Sequence, residues 1–209
     1  MTNGRLDSSG AVQFAVGDIG GSTVVAVAGG VGKARASACA QTLLDVHRVE
    51  SIIMCGTAGR LNPTLKIGDI VISRRVVECG NAPSTGSTSP DESRPTPDGV
   101  LVLAAKQACV ETVGEDRFVT GTILTCGRPV LSRNIRKRLR QAYAADCVDM
   151  EGVAVGRVCA ANNVPFVVVR AISDRAGLLA LLEFRQNLRT SSRRAQEVVL
   201  KLLSLLKPS

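Results

Sequence analysis

Val148-Asp149-Met150-Glu151-Gly152-Val153-Ala154-Val155, followed by Asn163-Val164-Pro165-Phe166-Val167-Val168-Val169-Arg170-Ala171-Ile172-Ser173-Asp174, decides the fold of this chain. The first segment reads as a strand over 146–148 running into a helix over 150–162. The second reads as a strand over 166–172, because its apolar run is rich in Val and too short for a helix. Strand, helix, strand in that order is the unit from which α/β sheets are built. Such sheets bind ligands at the carboxyl ends of their strands. Glu151 and Asp174 both fall there, one at a strand-to-helix junction and one at a strand exit.

Outward from this unit, apolar runs alternate with segments of helical period. Strands are expected over 12–16 and 24–28, joined by a turn at 17–21, then a helix over 33–46 and strands over 51–55, 69–73 and 117–124. Helices are expected over 98–113 and 132–143, the latter with Ser132 as its N-cap. Within 183–206, Val198, Val199, Leu202, Leu203, Leu205 and Leu206 form a broad apolar stripe that reads as core packing. Residues 80–97, rich in Ser, Thr and Pro, read as a flexible loop. Residues 1–10 are polar and read as a disordered terminus ahead of one α/β domain at 11–209.

At 209 residues one domain can bury roughly 70% of its extended-chain surface. Aromatics make up only 2%, so Val, Leu, Ile and Ala must do the packing. No stretch has the ~20 apolar residues of a membrane span, and the N-terminus lacks the apolar segment of a signal peptide, so a cytoplasmic chain without a membrane partner is expected. Seven cysteines, at least 12 residues apart and without a C-x-x-C pair, read as reduced small hydrophobes rather than as metal ligands. The net charge of +8 invites a nucleic-acid partner. Its arginines cluster at 133–140 and 185–194 with helical spacing, as on solvated helix faces, and with one Tyr and four Phe there is almost no stacking platform. No nucleic-acid partner is therefore expected. The lone His47 reads as a solvent-facing cation at a helix end and offers no triad.

Cleaving an N-glycosidic bond builds positive charge on the ribose while electrons drain into the base, so the reaction needs an anion near the sugar and an acid near the base. Glu151, in the first turn of its helix, suits the anion, since the helix dipole favours a carboxylate there. Asp174, behind an apolar strand, suits a desolvated acid. The bland alternatives are a helix-capping acid and a Ser-Asp turn. Gly29-Gly30-Val31-Gly32-Lys33, between a strand and a helix, could bring backbone N–H groups to an anion or a sugar, or be a tight turn needing positive φ. It matches neither a Walker A loop nor G-x-G-x-x-G.

The two segments quoted first, together with Cys55-Gly56-Thr57-Ala58-Gly59-Arg60-Leu61-Asn62-Pro63-Thr64-Leu65-Lys66-Ile67-Gly68-Asp69-Ile70-Val71-Ile72-Ser73 and Ala28-Gly29-Gly30-Val31-Gly32-Lys33, resemble the nucleoside phosphorylase and nucleosidase family. Within it the similarity is to the 5′-methylthioadenosine/S-adenosylhomocysteine nucleosidases. The likeness runs from about residue 23 to the C-terminus, the 80–97 loop excepted. It implies a three-layer α/β/α domain with a mixed central sheet, assembled as a homodimer or larger homo-oligomer, and a small-molecule nucleoside substrate without a cofactor. It also implies that Glu151 binds the ribose hydroxyls, Met150 packs on the sugar, Asp174 with Ser173 donates toward N7 of the departing purine, and Thr57 faces the ribose or nucleophile pocket. Gly30 and Val130 are carried over as substrate-binding positions.

Three departures bear on mechanism. The Glu that activates water near the family's N-terminus has no counterpart. Met54 stands where the phosphorylases carry a phosphate-binding Arg, which favours water over phosphate, although Lys33, Arg60 or Arg128 could supply charge. Gly127-Arg128-Pro129-Val130 replaces the adenine-stacking segment of the nucleosidases and is more similar to the hopanoid-associated phosphorylases. The expectation is hydrolysis of a 5′-methylthioadenosine-type nucleoside, as in methionine salvage, with a phosphorylase or a catalytically impaired nucleoside-binding homologue as the alternatives.

Overall fold

In the computed structural model, which describes residues 2–80 and 95–206, the elements are β1 (Thr2–Ser9), β2 (Val12–Ile19), β3 (Ser22–Val27), α1 (Lys33–Val46), β4 (Ile52–Arg60), β5 (Ile70–Glu78), α2 (Gly99–Thr112), β6 (Phe118–Thr125), α3 (Arg133–Tyr143), β7 (Cys147–Asp149), α4 (Gly152–Ala161), β8 (Phe166–Asp174) and α5 (Ala180–Leu205). Every residue of β8 is buried. It pairs parallel with β4 on one side and antiparallel with β5 on the other. Parallel pairs β5–β6 and β6–β7 and a short antiparallel β4–β7 contact close a mixed ring in the order β4-β7-β6-β5-β8.

Because side chains alternate along a strand, β8 supplies two cores. Phe166, Val168 and Ile172 pack with Ala36, Ala40 and Leu43 of α1 and Val155 and Cys159 of α4. Val167, Val169 and Ala171 pack with Ala105 and Ala108 of α2 and Ala195, Val198 and Leu202 of α5. Helices thus cover the sheet on both faces, the layering expected from the sequence, and a strand buried on both sides must read as a continuous apolar run.

The N-terminus differs from expectation. Thr2–Ser9, read as a disordered tail, forms β1 and pairs antiparallel with β2 in a separate three-stranded sheet, β1-β2-β3. Its residues are polar and its Leu6 is 83% exposed, so backbone pairing holds it rather than an apolar face that a sequence could display. The expected turn at 17–21 is also shorter. Strand β2 runs through Ile19, Thr23 Oγ1 donates to Asp18 across the hairpin, and only Gly20 (φ 61°) and Gly21 (φ 90°) turn, the positive-φ pair a two-residue hairpin requires. Phe14 and Val16 anchor this sheet on the α1 side of the core.

Ser132 stands at the N-cap of α3 but makes no side-chain capping bond. Of the 80–97 loop, 81–94 lie outside the described residues, while Pro95 and Pro97 are buried and Asp98 caps α2 by accepting the Leu101 N–H at 2.9 Å. Among the described residues, no helix is long and apolar enough to cross a membrane and no group of three His, Cys, Asp or Glu could hold a metal ion. Five of the seven cysteines are buried and two half-buried, all unbonded.

Candidate active site

Glu151 follows the short strand β7. Helix α4 starts at Gly152, later than the expected 150, so Glu151 is the N-cap rather than a first-turn residue, and its side chain makes no capping bond. The carboxylate points away from its own helix. Gly32 N–H donates to Oε1 at 2.8 Å, and Arg170 Nη2 reaches Oε2 at 3.3 Å. The glycine loop therefore does bring an N–H to an anion, and the anion is a side chain of the protein. Gly30 and Gly32 have φ of 74° and 92°, the positive-φ turn expected of that loop. Gly30 itself is exposed, and its own side-chain position is closed off by Arg35.

Arg170 is the residue that reading the sequence missed. It lies in the middle of β8, and its side chain is only 4% exposed. Nε and Nη2 donate to Asp149 Oδ2 at 2.9 and 2.7 Å. Burial would push its pKa down, but the Asp149 and Glu151 carboxylates outweigh burial and raise it. A side chain on Gly56, its register partner on β4, would stand 2.2 Å from Nη1, so the guanidinium occupies the space glycine leaves. A lone Arg inside a run of valines was the available signal, since a buried charge requires a partner.

Asp174 ends β8 and is 8% exposed. Burial raises its pKa; the Ala176 N–H (2.9 Å to Oδ1) and the Ser173 hydroxyl (2.9 Å to Oδ2) oppose that, and Glu183 adds to it. Ser173 is held in turn, its carbonyl accepting from Asn187 Nδ2 of α5 at 3.2 Å. The side-chain position vacant at Gly59 is enclosed by Asp174 Oδ1 (3.0 Å), Ala176 Cβ (3.3 Å) and Val148 Cγ1 (3.3 Å). A bulge in the β4–β8 register, where Ala58 pairs Ile172 and Gly59 pairs Asp174, re-aims this end of β8.

The remaining expected residues are placed as follows. Met150 and Thr57 are half-buried. Val130 is 8% exposed and packs in a cluster with Leu61, Leu124, Val148 and Ala176. Lys33 is engaged by Glu78, which Arg157 also binds at 2.6 Å; the Lys33 hydrogen bond, then Arg157, hold the Glu78 carboxyl below its usual range. Arg60 Nη1 donates to the carbonyls of Leu65 and Pro63 at 2.8 and 3.5 Å. Met54 Sδ lies 3.6 Å from Arg170 Nη2. Arg128 is exposed. His47 is not solvent-facing: its ring stands edge-on to Phe14 at 4.9 Å and its Nε2 is buried, without a hydrogen-bond partner among the described residues.

Residues 5–204 match the family model described as the phosphorylase superfamily. The chain is 34% identical over 201 residues to the 5′-methylthioadenosine/S-adenosylhomocysteine nucleosidase of Geobacillus kaustophilus, covering 93% of this chain and 85% of that one. Among solved structures it superimposes on the nucleosidase of the same description from Neisseria meningitidis, in complex with methylthio-immucillin-A, with a TM-score of 0.91 and 27% identity over 99% of this chain and 91% of that one. The Colwellia psychrerythraea nucleosidase, in complex with adenine, gives a TM-score of 0.88 at 29% identity over 97% of this chain and 86% of that one.

Proposed function

The chain belongs to the phosphorylase superfamily, and from that premise we propose that it hydrolyses the N-glycosidic bond of a purine nucleoside of the 5′-methylthioadenosine/S-adenosylhomocysteine type. The observation that carries this is the contrast between two acids: Glu151, after β7, meets the Gly32 N–H and the Arg170 guanidinium, whereas Asp174, at the end of β8, is buried against the Ser173 hydroxyl and the Ala176 N–H.

Glu151 accepts the ribose hydroxyls and steadies the positive charge that grows on the ring as the bond to the base stretches. Met150 packs on the sugar and Thr57 faces it. Asp174, whose raised pKa favours the protonated form, gives its proton to N7 so that adenine leaves neutral, and Ser173 keeps the carboxyl in place. Water adds at the anomeric carbon and loses one proton to the solvent, which leaves the free sugar. Water rather than phosphate is favoured because Lys33 is bound by Glu78, Arg60 serves backbone carbonyls and Met54 lies against Arg170.

A homodimer or larger assembly is proposed as well. Leu178 (82% exposed), Leu179, Leu181 and Leu182 form an uncovered apolar surface directly after Asp174. Sedimentation equilibrium should find at least two chains, and a monomer at all concentrations would remove this part.

Chromatography of 5′-methylthioadenosine and S-adenosylhomocysteine incubated with the enzyme, with and without phosphate, tests the reaction. Free adenine with the free sugar in both conditions is expected. Ribose 1-phosphate formed only with phosphate would make the chain a phosphorylase, and binding without turnover would make it an impaired homologue.

A further inference from the structure

The N-cap side chain ordinarily bonds the unpaired N–H groups that begin a helix. At the N-cap of α4, Glu151 does not, and its donors are satisfied from elsewhere. Asp149 accepts the Gly152 N–H at Oδ2 (3.0 Å) and the Glu151 N–H at Oδ1 (3.4 Å). Thr125 Oγ1 accepts the Val153 N–H (2.9 Å) and donates its own proton to Asp149 Oδ1 (2.7 Å). Thr125 and Asp149 are register partners at the ends of β6 and β7, and both side chains are sealed from solvent.

We infer that Thr125 and Asp149 are positioning residues that cap α4 in place of Glu151, freeing the Glu151 carboxylate to face the bound sugar. A carboxylate bonded to its own helix would have its oxygens turned inward. Here Oε1 meets Gly32 and Oε2 meets Arg170, and Asp149, by also holding Arg170 Nε and Nη2, sets the second of these contacts. Gly152 completes the device. A Cβ there would stand 2.7 Å from Asp149 Oδ2 and 3.4 Å from Thr125 Oγ1, so glycine leaves the room in which the two side chains close over the helix end. The inference rests on the assignment of Glu151 to the ribose.

Thr125→Val removes the hydroxyl at nearly constant volume, whereas Thr125→Ser keeps it. Steady-state kinetics on 5′-methylthioadenosine should show kcat/KM about 10- to 100-fold lower for Thr125→Val, since small displacements of a substrate-binding group are costly. Thr125→Ser should stay within about 3-fold of wild type, and in a Glu151→Gln background Thr125→Val should cost less than about 3-fold, because its effect passes through the carboxylate already lost. Gly152→Ala, which keeps every polar group of the cap, should repeat this pattern and carries the test if Thr125→Val does not fold. Losses that simply add in the Glu151→Gln background, or a serine variant as impaired as the valine one, would overturn the inference while leaving the proposed reaction standing. A wild type that releases no base from any nucleoside would take down both.

Discussion

Glu151 and Asp174 are both carboxylates at the ends of the two strands that flank β4, yet their surroundings are opposite. Glu151 faces a buried guanidinium, with a second carboxylate behind it and a backbone N–H in front. Among the described residues, the donors that Asp174 accepts from are neutral, the Ser173 hydroxyl and the Ala176 N–H, and Glu183, a charge of its own sign, adds to the rise in its pKa. A donor on each oxygen holds the Glu151 carboxylate in one orientation, which suits it to meet a sugar. Desolvation of the other suits it to hold a proton. In the proposed reaction one side-chain chemistry serves two roles because the sheet gives each acid a different neighbour.

The contrast can be broken at either end. Asp174→Asn removes the proton donor and should lower kcat by about 100- to 10,000-fold with little change in KM, as for a group that acts in the transition state. Glu151→Gln should lower kcat/KM by about 10- to 1000-fold, divided between kcat and KM, because the sugar contact exists before and during bond cleavage. Equal kinetic signatures for the two variants would erase the distinction. Gly56→Ala presses a methyl onto Arg170 Nη1 without touching Asp174, and should cost about 10-fold in kcat/KM with KM raised. A neutral effect would mean that Arg170 is not held by that contact.

The smallest effect is on stability. A raised native pKa means that the folded chain binds the Asp174 proton more tightly than the unfolded chain does. The cost of burying Asp174 therefore starts as pH rises past the unfolded value of 3.8, grows up to the native pKa, and is constant above it. Asp174→Asn removes that cost, so its Tm should exceed that of wild type at about pH 8, with the gap closing toward about pH 4. Scanning calorimetry at the two pH values checks the sign.

Much of this was legible in the sequence. The helix over 33–46 and the buried strand from 166 are marked by apolar period and by flanking Gly and Pro, and the two acids stand out at strand ends. What could not be read depends on which strands become neighbours. Arg170 finds Asp149 only because β7 and β8 both flank β4, and the surrogate cap of α4 needs β6 and β7 in register. Local spacing carries neither fact. The strand at 2–9 was hidden for another reason, since its pairing is through the backbone and its side chains show no alternation. His47 likewise looked exposed because Phe14, on which it packs, comes from a distant hairpin.

A crystal structure of the protein with a non-hydrolysable purine nucleoside analogue tests the central claim most directly. Ribose hydroxyls within hydrogen-bond distance of Glu151 and the N7 position of the same molecule within reach of Asp174 are expected. An analogue that meets one acid and leaves the other in a separate cavity would contradict it.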